Sequence, residues 1–577
     1  MSRDKKSLSQ KNNMESQIKV CQNCKKDFTI EPDDFGFYQT IHVPAPTWCP
    51  DCRAKRRMNW EGCSIFYKRK CDFTGDMVIS THHLDSPHKV YRQDIWWSDK
   101  WDPKSYGREY DFSRSFFEQF YELIKAVPLP SLYTAYATNV NSDYCNAASS
   151  LKNCYLCFMI TRGENSAYLN TITDAKDSFD CSFLTHSELC YGSILVNKCY
   201  HVFYSENCDD CQDVWFSRDL TGCSNCIGCI NLRNKQYCVF NEQYSKENYK
   251  KFFEGLDFGT LQAIKDFKEK TKKFMLLQPR KNFSGRRNSR VSGEYINNSK
   301  NVRDSYLFNN GQDLRFCQLL KDGPSSNSYD YTFFGDKGAE WVYECAWTGL
   351  GANNNKFSSW NYGAHDIEHC FGCHNSGNLF GCVGIRKGEY CILNKQYSKT
   401  DYIDIVSRIK KQMEEVPYVD PLERKYYYGE MLPPEMSPWT YNESIAIEWF
   451  PIVKEQALKE GFLWRDSDPK EYVDATTIVP EHIKDVEDEV LKEILKCQKC
   501  GKNYKIIKME LDFYRKMNVP IPLQCPLCRN YDRIARLNPM KIYDRTCARC
   551  GKEIETSYAP DRPEIVYCES CYNNEVA

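Results

Sequence analysis

Twelve cysteines in this chain fall into three sets whose spacing suits a metal ion. Cys21-x2-Cys24 and Cys49-x2-Cys52 form the first, with 24 residues between the pairs. Cys497-x2-Cys500 and Cys525-x2-Cys528 repeat it with the same gap, displaced by 497 − 21 = 476 positions. Cys547-x2-Cys550 and Cys568-x2-Cys571 form the third, 17 residues apart. A CxxC turn places two sulfurs on one ion, and two such turns complete the thiolate tetrahedron that zinc favours. Three structural zinc ions are therefore predicted. Each can supply on the order of 10 kcal/mol of folding free energy, enough to hold together a module with little core.

The likeness between the two ends runs past the ligands. Phe37-Tyr38 matches Phe513-Tyr514, and Val43-Pro44-x-Pro46 matches Val519-Pro520-x-Pro522. Cys49-Pro50-x-Cys52-Arg53 matches Cys525-Pro526-x-Cys528-Arg529. At the same displacement Cys71 falls on Cys547 and Gly75 on Gly551, but the other three ligand positions read Thr74, Arg92 and Ile95. One tandem unit thus brackets the chain, and its inner half has lost its metal in the N-terminal copy. Cys63 and Cys71 with His82, His83 and His88 could form a substitute ligand set; a packed core in place of zinc is the plainer expectation.

Lysine plus arginine nearly cancels aspartate plus glutamate, leaving a formal net charge of −1, so no global field selects a partner. The composition stands out instead in 32 cysteines and 39 tyrosines among 577 residues. The polar first twenty residues lack the apolar core of a signal peptide. No apolar run approaches the roughly 18 residues that span a bilayer. These features predict a cytoplasmic protein with reduced thiols.

The metal sets must be positioned by what lies between them. Residues 1–20 read as a disordered tail, 21–62 as a treble-clef-like zinc module and 63–110 as a degenerate zinc ribbon. A helical connector over 111–138 follows, with Ser113 as its N-cap. From 139 to 245 short segments recur, among them Asn153-Cys-Tyr155, Leu189-Cys-Tyr191 and Lys198-Cys-Tyr200. Positions 145, 167, 190 and 211 are 22, 23 and 21 apart, which predicts a β-solenoid with coils of about that length. A helical and basic connector (246–294) leads to a second solenoid segment (295–398). Tyr237-Cys238, Asn241 and Gln243-Tyr-Ser-Lys246 recur there as Tyr390-Cys391, Asn394 and Gln396-Tyr-Ser-Lys399, displaced by 391 − 238 = 153. A helical linker (399–490), a zinc module (491–540) and a zinc ribbon (541–577) complete the chain. The fold class expected is mainly β: two solenoid segments flanked by small zinc modules.

Cys208-x2-Cys211 and Cys223-x2-Cys226-x2-Cys229 place five thiols in 22 residues. Their spacing allows a fourth zinc site or an iron–sulfur cluster, and hence a metalloenzyme. Stacking as small apolar residues inside successive coils is the favoured alternative. No nucleophile motif, phosphate loop or metallohydrolase spacing is present, so an enzyme is not the expected class.

The 24-spaced modules resemble a small zinc-ribbon family with CxxC, an aromatic middle and Cys-Pro-x-Cys-Arg. The last set, with Tyr558-Ala-Pro-Asp-Arg-Pro563, resembles a CxxC-x17-CxxC zinc-binding domain. The whole order is similar to multi-zinc proteins of small-genome bacteria. The resemblance implies four-cysteine zinc binding at the three intact sets and carries no activity with it.

The function expected is a non-catalytic scaffold that binds RNA or a ribonucleoprotein. Arg53, Lys55, Arg56 and Arg57 beside the first zinc, and Arg529, Arg533 and Arg536 beside its twin, are the candidate phosphate contacts. The alternative is a protein-interaction or assembly factor in which the two zinc units dock on each other and on the solenoid. Neither reading calls for a membrane.

Overall fold

The computed structural model describes residues 15–321, 323–466 and 472–576. Of the expected tail, residues 1–14 lie outside these. Gln17–Val20 is not disordered: it is a strand paired antiparallel with Asp27–Ile30, the hairpin that presents the first cysteine pair. Strand predominates over helix, 34% against 24%, as the mainly β reading requires. Among the described residues no helix is long and apolar enough to cross a membrane.

Two large sheets make the body, one of 12 strands and one of 13. The first spans Asn146–Tyr155 to Glu242–Gln243, the second Gly285–Arg286 to Lys395–Gln396. Both are parallel almost throughout. In the first, Asn146 pairs with Phe158, Phe158 with Asn170, Asn170 with Ser182 and Ser182 with Ile194. Successive paired strands are therefore offset by 158 − 146 = 12 residues, not by the 21 to 23 expected.

The cause of the error lies in the backbone. Every third residue turns the chain through the left-handed region, as at Ala147, Ser150, Asn153 and Leu156. One column of residues twelve apart mixes chemistries: Cys145, Cys157, Leu169, Cys181, Ser193. Like residues stand twelve apart only in short runs, such as Ser193, Ser205 and Ser217, so the period is masked in the sequence. A left-handed corner costs roughly 1–2 kcal/mol for a residue with a Cβ, least for the Asn and Asp that hold many of these positions.

Inside the first stack, cysteine and serine play one part. Ser193, Ser205 and Ser217 lie above one another. Each hydroxyl accepts from the amide twelve residues on, at 3.1, 3.0 and 3.0 Å, and donates to the carbonyl two residues back. Thiols donate to the same carbonyls at longer range, Cys226 to Ser224 and Cys229 to Ile227, both at 3.4 Å. A small side chain with one weak donor is what the narrow interior accepts, and this accounts for the cysteine excess.

The duplicated motif closes each stack. Glu242–Gln243 folds back antiparallel on Gln236–Val239, and Lys395–Gln396 does so on Glu389–Ile392. Ser245 and Ser398 then cap the helices Lys246–Glu254 and Lys399–Glu415, accepting from Asn248 and Asp401 amides at 3.2 and 3.1 Å. These caps cover strand edges that would otherwise pair with another chain. The helix after 111 starts at Phe116, with Ser115 rather than Ser113 at its N-cap. Past 480, at the end of the expected helical linker, the chain holds only the short turns Ile483–Asp485 and Asp488–Leu491.

Interchangeability inside the coil predicts a mild effect for Cys190→Ser. The new hydroxyl would donate to Glu188 as Ser178 does to Lys176, so the loss in a urea titration is about 1 kcal/mol or less. Cys190→Leu overfills the same site and should cost about 1–3 kcal/mol.

Candidate metal centres and their basic helices

In each intact set the two cysteine pairs come from different elements. A turn after a short strand carries the first pair; the start of a helix carries the second. Pro50–Met58 begins directly after Cys49, and Pro526–Ile534 directly after Cys525. Within each set all four sulfurs lie within 4.8 Å of one another. Cys24 and Cys49 are 3.7 Å apart, Cys500 and Cys525 3.7 Å, and Cys550 and Cys568 3.9 Å. Four thiolates at the usual zinc–sulfur distance stand about 3.8 Å apart, so the donor sets fit zinc.

Backbone amides prepare the sulfurs. The Cys49 amide donates to Cys21 Sγ and the Cys568 amide to Cys547 Sγ, each at 3.2 Å. Burial opposes ionisation of Cys497 and Cys547, but amide donors outweigh it and bring both thiols down to about 6. A thiolate is the form that binds metal.

The degenerate copy keeps the turn without the ion. Cys71 Sγ accepts from the Thr74 amide at 3.4 Å and the Arg92 amide at 3.2 Å. Arg92 occupies a lost ligand position and bridges Asp76 and Asp94 at 2.7 and 2.6 Å. The substitute ligands do not converge. His82 meets the Tyr133 hydroxyl, and His88 meets the Ile124 carbonyl, at 3.1 and 3.2 Å. The five thiols of Cys208–Cys229 stand in successive coils, and among the described residues only the three four-cysteine sets gather their sulfurs around a point.

The arginines beside the first set are buried. Arg53, Arg56 and Arg57 are 1%, 1% and 0% exposed. Arg53 and Arg57 grip one carboxylate of the second stack, Asp330, each at 2.8 Å. Arg56 spans Glu344 and Glu430 at 3.1 and 2.9 Å, and Lys55 meets Glu460 at 3.0 Å. The C-terminal copy repeats the grip on the first stack. Arg529 and Arg533, displaced by 529 − 53 = 476 and 533 − 57 = 476, both hold Asp180 at 2.9 Å. Arg536 donates to the Gly192 and Ser205 carbonyls at 2.9 and 3.1 Å. All seven expected phosphate contacts are thus engaged within the protein.

The acids that receive them, Asp180, Asp330, Glu344 and Glu430, lie far away in the chain and carry no local signature. The one available signal was the shared Cys-Arg-x3-Arg spacing: a one-turn pair of arginines can close on a single carboxylate. Aromatic contacts follow the same crossed pattern, Phe37 stacking on Tyr329 at 4.0 Å and Phe513 on Phe179 at 4.4 Å. The arginines of each 24-spaced module therefore grip the stack more distant in sequence.

Glu448 lies where the parts meet. It accepts from Ser64 at 3.1 Å, Asn170 at 3.4 Å and Asn530 at 3.5 Å. Burial pushes its carboxyl up to about 7, against the pull of these donors and of Arg533. Compared with known proteins, the chain matches no protein-family model and no curated protein.

Three outcomes follow from these charges. Asp330→Asn leaves two buried guanidiniums without their carboxylate and should cost about 3–5 kcal/mol in denaturant unfolding. Asp33→Asn, whose exposed carboxylate meets Arg303, should cost about 1 kcal/mol or less. Glu448 holds its proton more tightly in the folded than in the unfolded state. Its contribution is complete below the ordinary carboxyl value and is lost as pH rises through about 7. Glu448→Gln should remove about 3 kcal/mol of the stability decline between pH 4.5 and 8, read as the difference between parent and variant unfolding curves.

Proposed function

We propose that this protein is a non-catalytic, zinc-supported scaffold. Its two parallel stacks are β-solenoid segments, and its zinc units are braces that lock each segment in place. The partner expected from the sequence, RNA or a ribonucleoprotein, then meets the solenoid surfaces and not the helices beside zinc. The observation that carries this reading is the doubled grip of Arg53 and Arg57 on Asp330 and of Arg529 and Arg533 on Asp180. Helices presented to an external polyanion would leave these guanidiniums in solvent; here they are consumed by docking.

Metal removal tests the reading. Elemental analysis of the purified chain should give three zinc ions and no iron. A strong chelator should release all three, expand the molecule in small-angle scattering and open protease cuts beside both zinc helices, since each site supplies on the order of 10 kcal/mol. A metal-free chain with an unchanged scattering profile would overturn the bracing role. Stoichiometric iron or a fourth ion would overturn the non-catalytic one.

A further inference from the structure

The two stacks leave a cleft of ≈ 740 Å³ between them, apart from the metal sets. Part of its lining is apolar. Phe183 and Leu195 reach it from the first stack, Leu307 and Leu319 from the second. Its walls carry carboxamides, with Asn197 donating to Asp209 at 2.6 Å on one side and Asn297 to Asn309 at 2.9 Å on the other. Such ladders hold the amides in rows at the strand spacing, about 4.8 Å.

The charges at the mouth are unequal. Arg286 is paired with Asp209 at 2.5 Å, and Lys321 donates to Thr161 at 2.9 Å. Lys198 and Arg287 also line the cleft; both are exposed, and neither enters an ion pair among the described residues. Asp210 is the acid that faces them without a cation, and His186 is held by Asp174 at 3.2 Å. A site formed where two domains meet, with an apolar part and a few polar groups converging on it, has the usual anatomy of a ligand pocket.

We propose that this cleft binds a few nucleotides of single-stranded nucleic acid. The occupant must offer a flat face to Phe183 and the leucines, donor and acceptor edges to the asparagines, and negative charge to Lys198 and Arg287. A nucleotide brings all three: base, base edge and phosphate. A neutral sugar leaves the two cations unanswered, and a fatty acid leaves the amides unanswered. The inference rests on the scaffold reading and gives its partner a place. The scaffold reading itself depends on metal content and scattering, which are measured without any ligand.

The test is binding of labelled oligo(U) and oligo(dT) to the full zinc-loaded chain across a salt series. Two phosphate contacts predict a log–log slope of about −1.4 for a single strand. Lys198→Glu combined with Arg287→Glu should weaken binding at least about tenfold and flatten that slope, with zinc content and unfolding midpoint unchanged. Leu195→Trp should fill the apolar part and weaken binding without altering the slope. Stronger binding of oligo(U) than oligo(dT) would assign the site to RNA, and the reverse to DNA; either supports the proposal. No binding at low salt, or binding that both variants leave intact, would overturn it. Competition by a neutral oligosaccharide would overturn the ligand class.

Discussion

Two arginines closing on one buried aspartate, once at each end of the molecule, set the arrangement of everything else. Transferring a guanidinium or a carboxylate out of water costs several kcal/mol per ion even after relaxation, so such groups persist only when fully answered. They are answered here. Arg53, Arg56 and Arg57 face Asp330, Glu344 and Glu430; Arg529, Arg533 and Arg536 face Asp180, Glu510 and Glu206. A module shifted along its stack by one rung, about 4.8 Å, would pull its arginines away from Asp330 and Glu344 in one stack, or from Asp180 and Glu206 in the other. Parallel coils otherwise look alike from one rung to the next, and apolar contacts alone would tolerate such a slip. The buried charges fix the register.

The four-cysteine sets position this grip. Arg53 follows Cys52 directly, and Arg529 follows Cys528, so the ligands that start each helix also aim its arginines. Four sulfurs converging at the helix start hold that end in place while Arg53 and Arg57 reach one carboxylate. The degenerate ribbon shows the converse. Its strands Tyr67–Lys70 and Met77–Ser80 still pair, and the neighbouring Trp96 and Trp101 are buried against Arg386 of the second stack, at 5.4 and 5.1 Å. Where aromatic packing secures the turn, hydrogen bonds to Cys71 replace the ion.

The metal sets were legible because ligand chemistry is local: Cys497 and Cys500 must be near in sequence to share an ion. The end-to-end duplication and the motif repeated at 237–246 and 390–399 were legible for the same reason, being short motifs with fixed offsets. Coil length was not. The repeat lives in backbone angles, one left-handed residue in three, and those angles tolerate Ala147, Leu156 and Tyr168 as well as Asn153. The partners of the arginines were not legible either. Arg57 reaches Asp330 across 273 positions and Arg533 reaches Asp180 across 353, and nothing near Asp330 or Asp180 marks it as a buried acid and not a turn residue.

That crossed connection has a kinetic side and a thermodynamic side, and they differ in size. Closing a loop costs entropy that grows only with the logarithm of its length, so joining residues hundreds of positions apart takes little more stability than joining neighbours a few coils away. Rate is another matter, since contacts of long sequence separation form late. The coils of each stack need only the coil before them, and the zinc modules need only their own cysteines. The first zinc unit, by contrast, has no docking site until the second stack exists, and the last unit must return past that stack to reach the first. Local metal folding, then stack growth, then docking is the order these constraints impose. The buried charges come last, which lets the arginines stay solvated until their aspartates are in place.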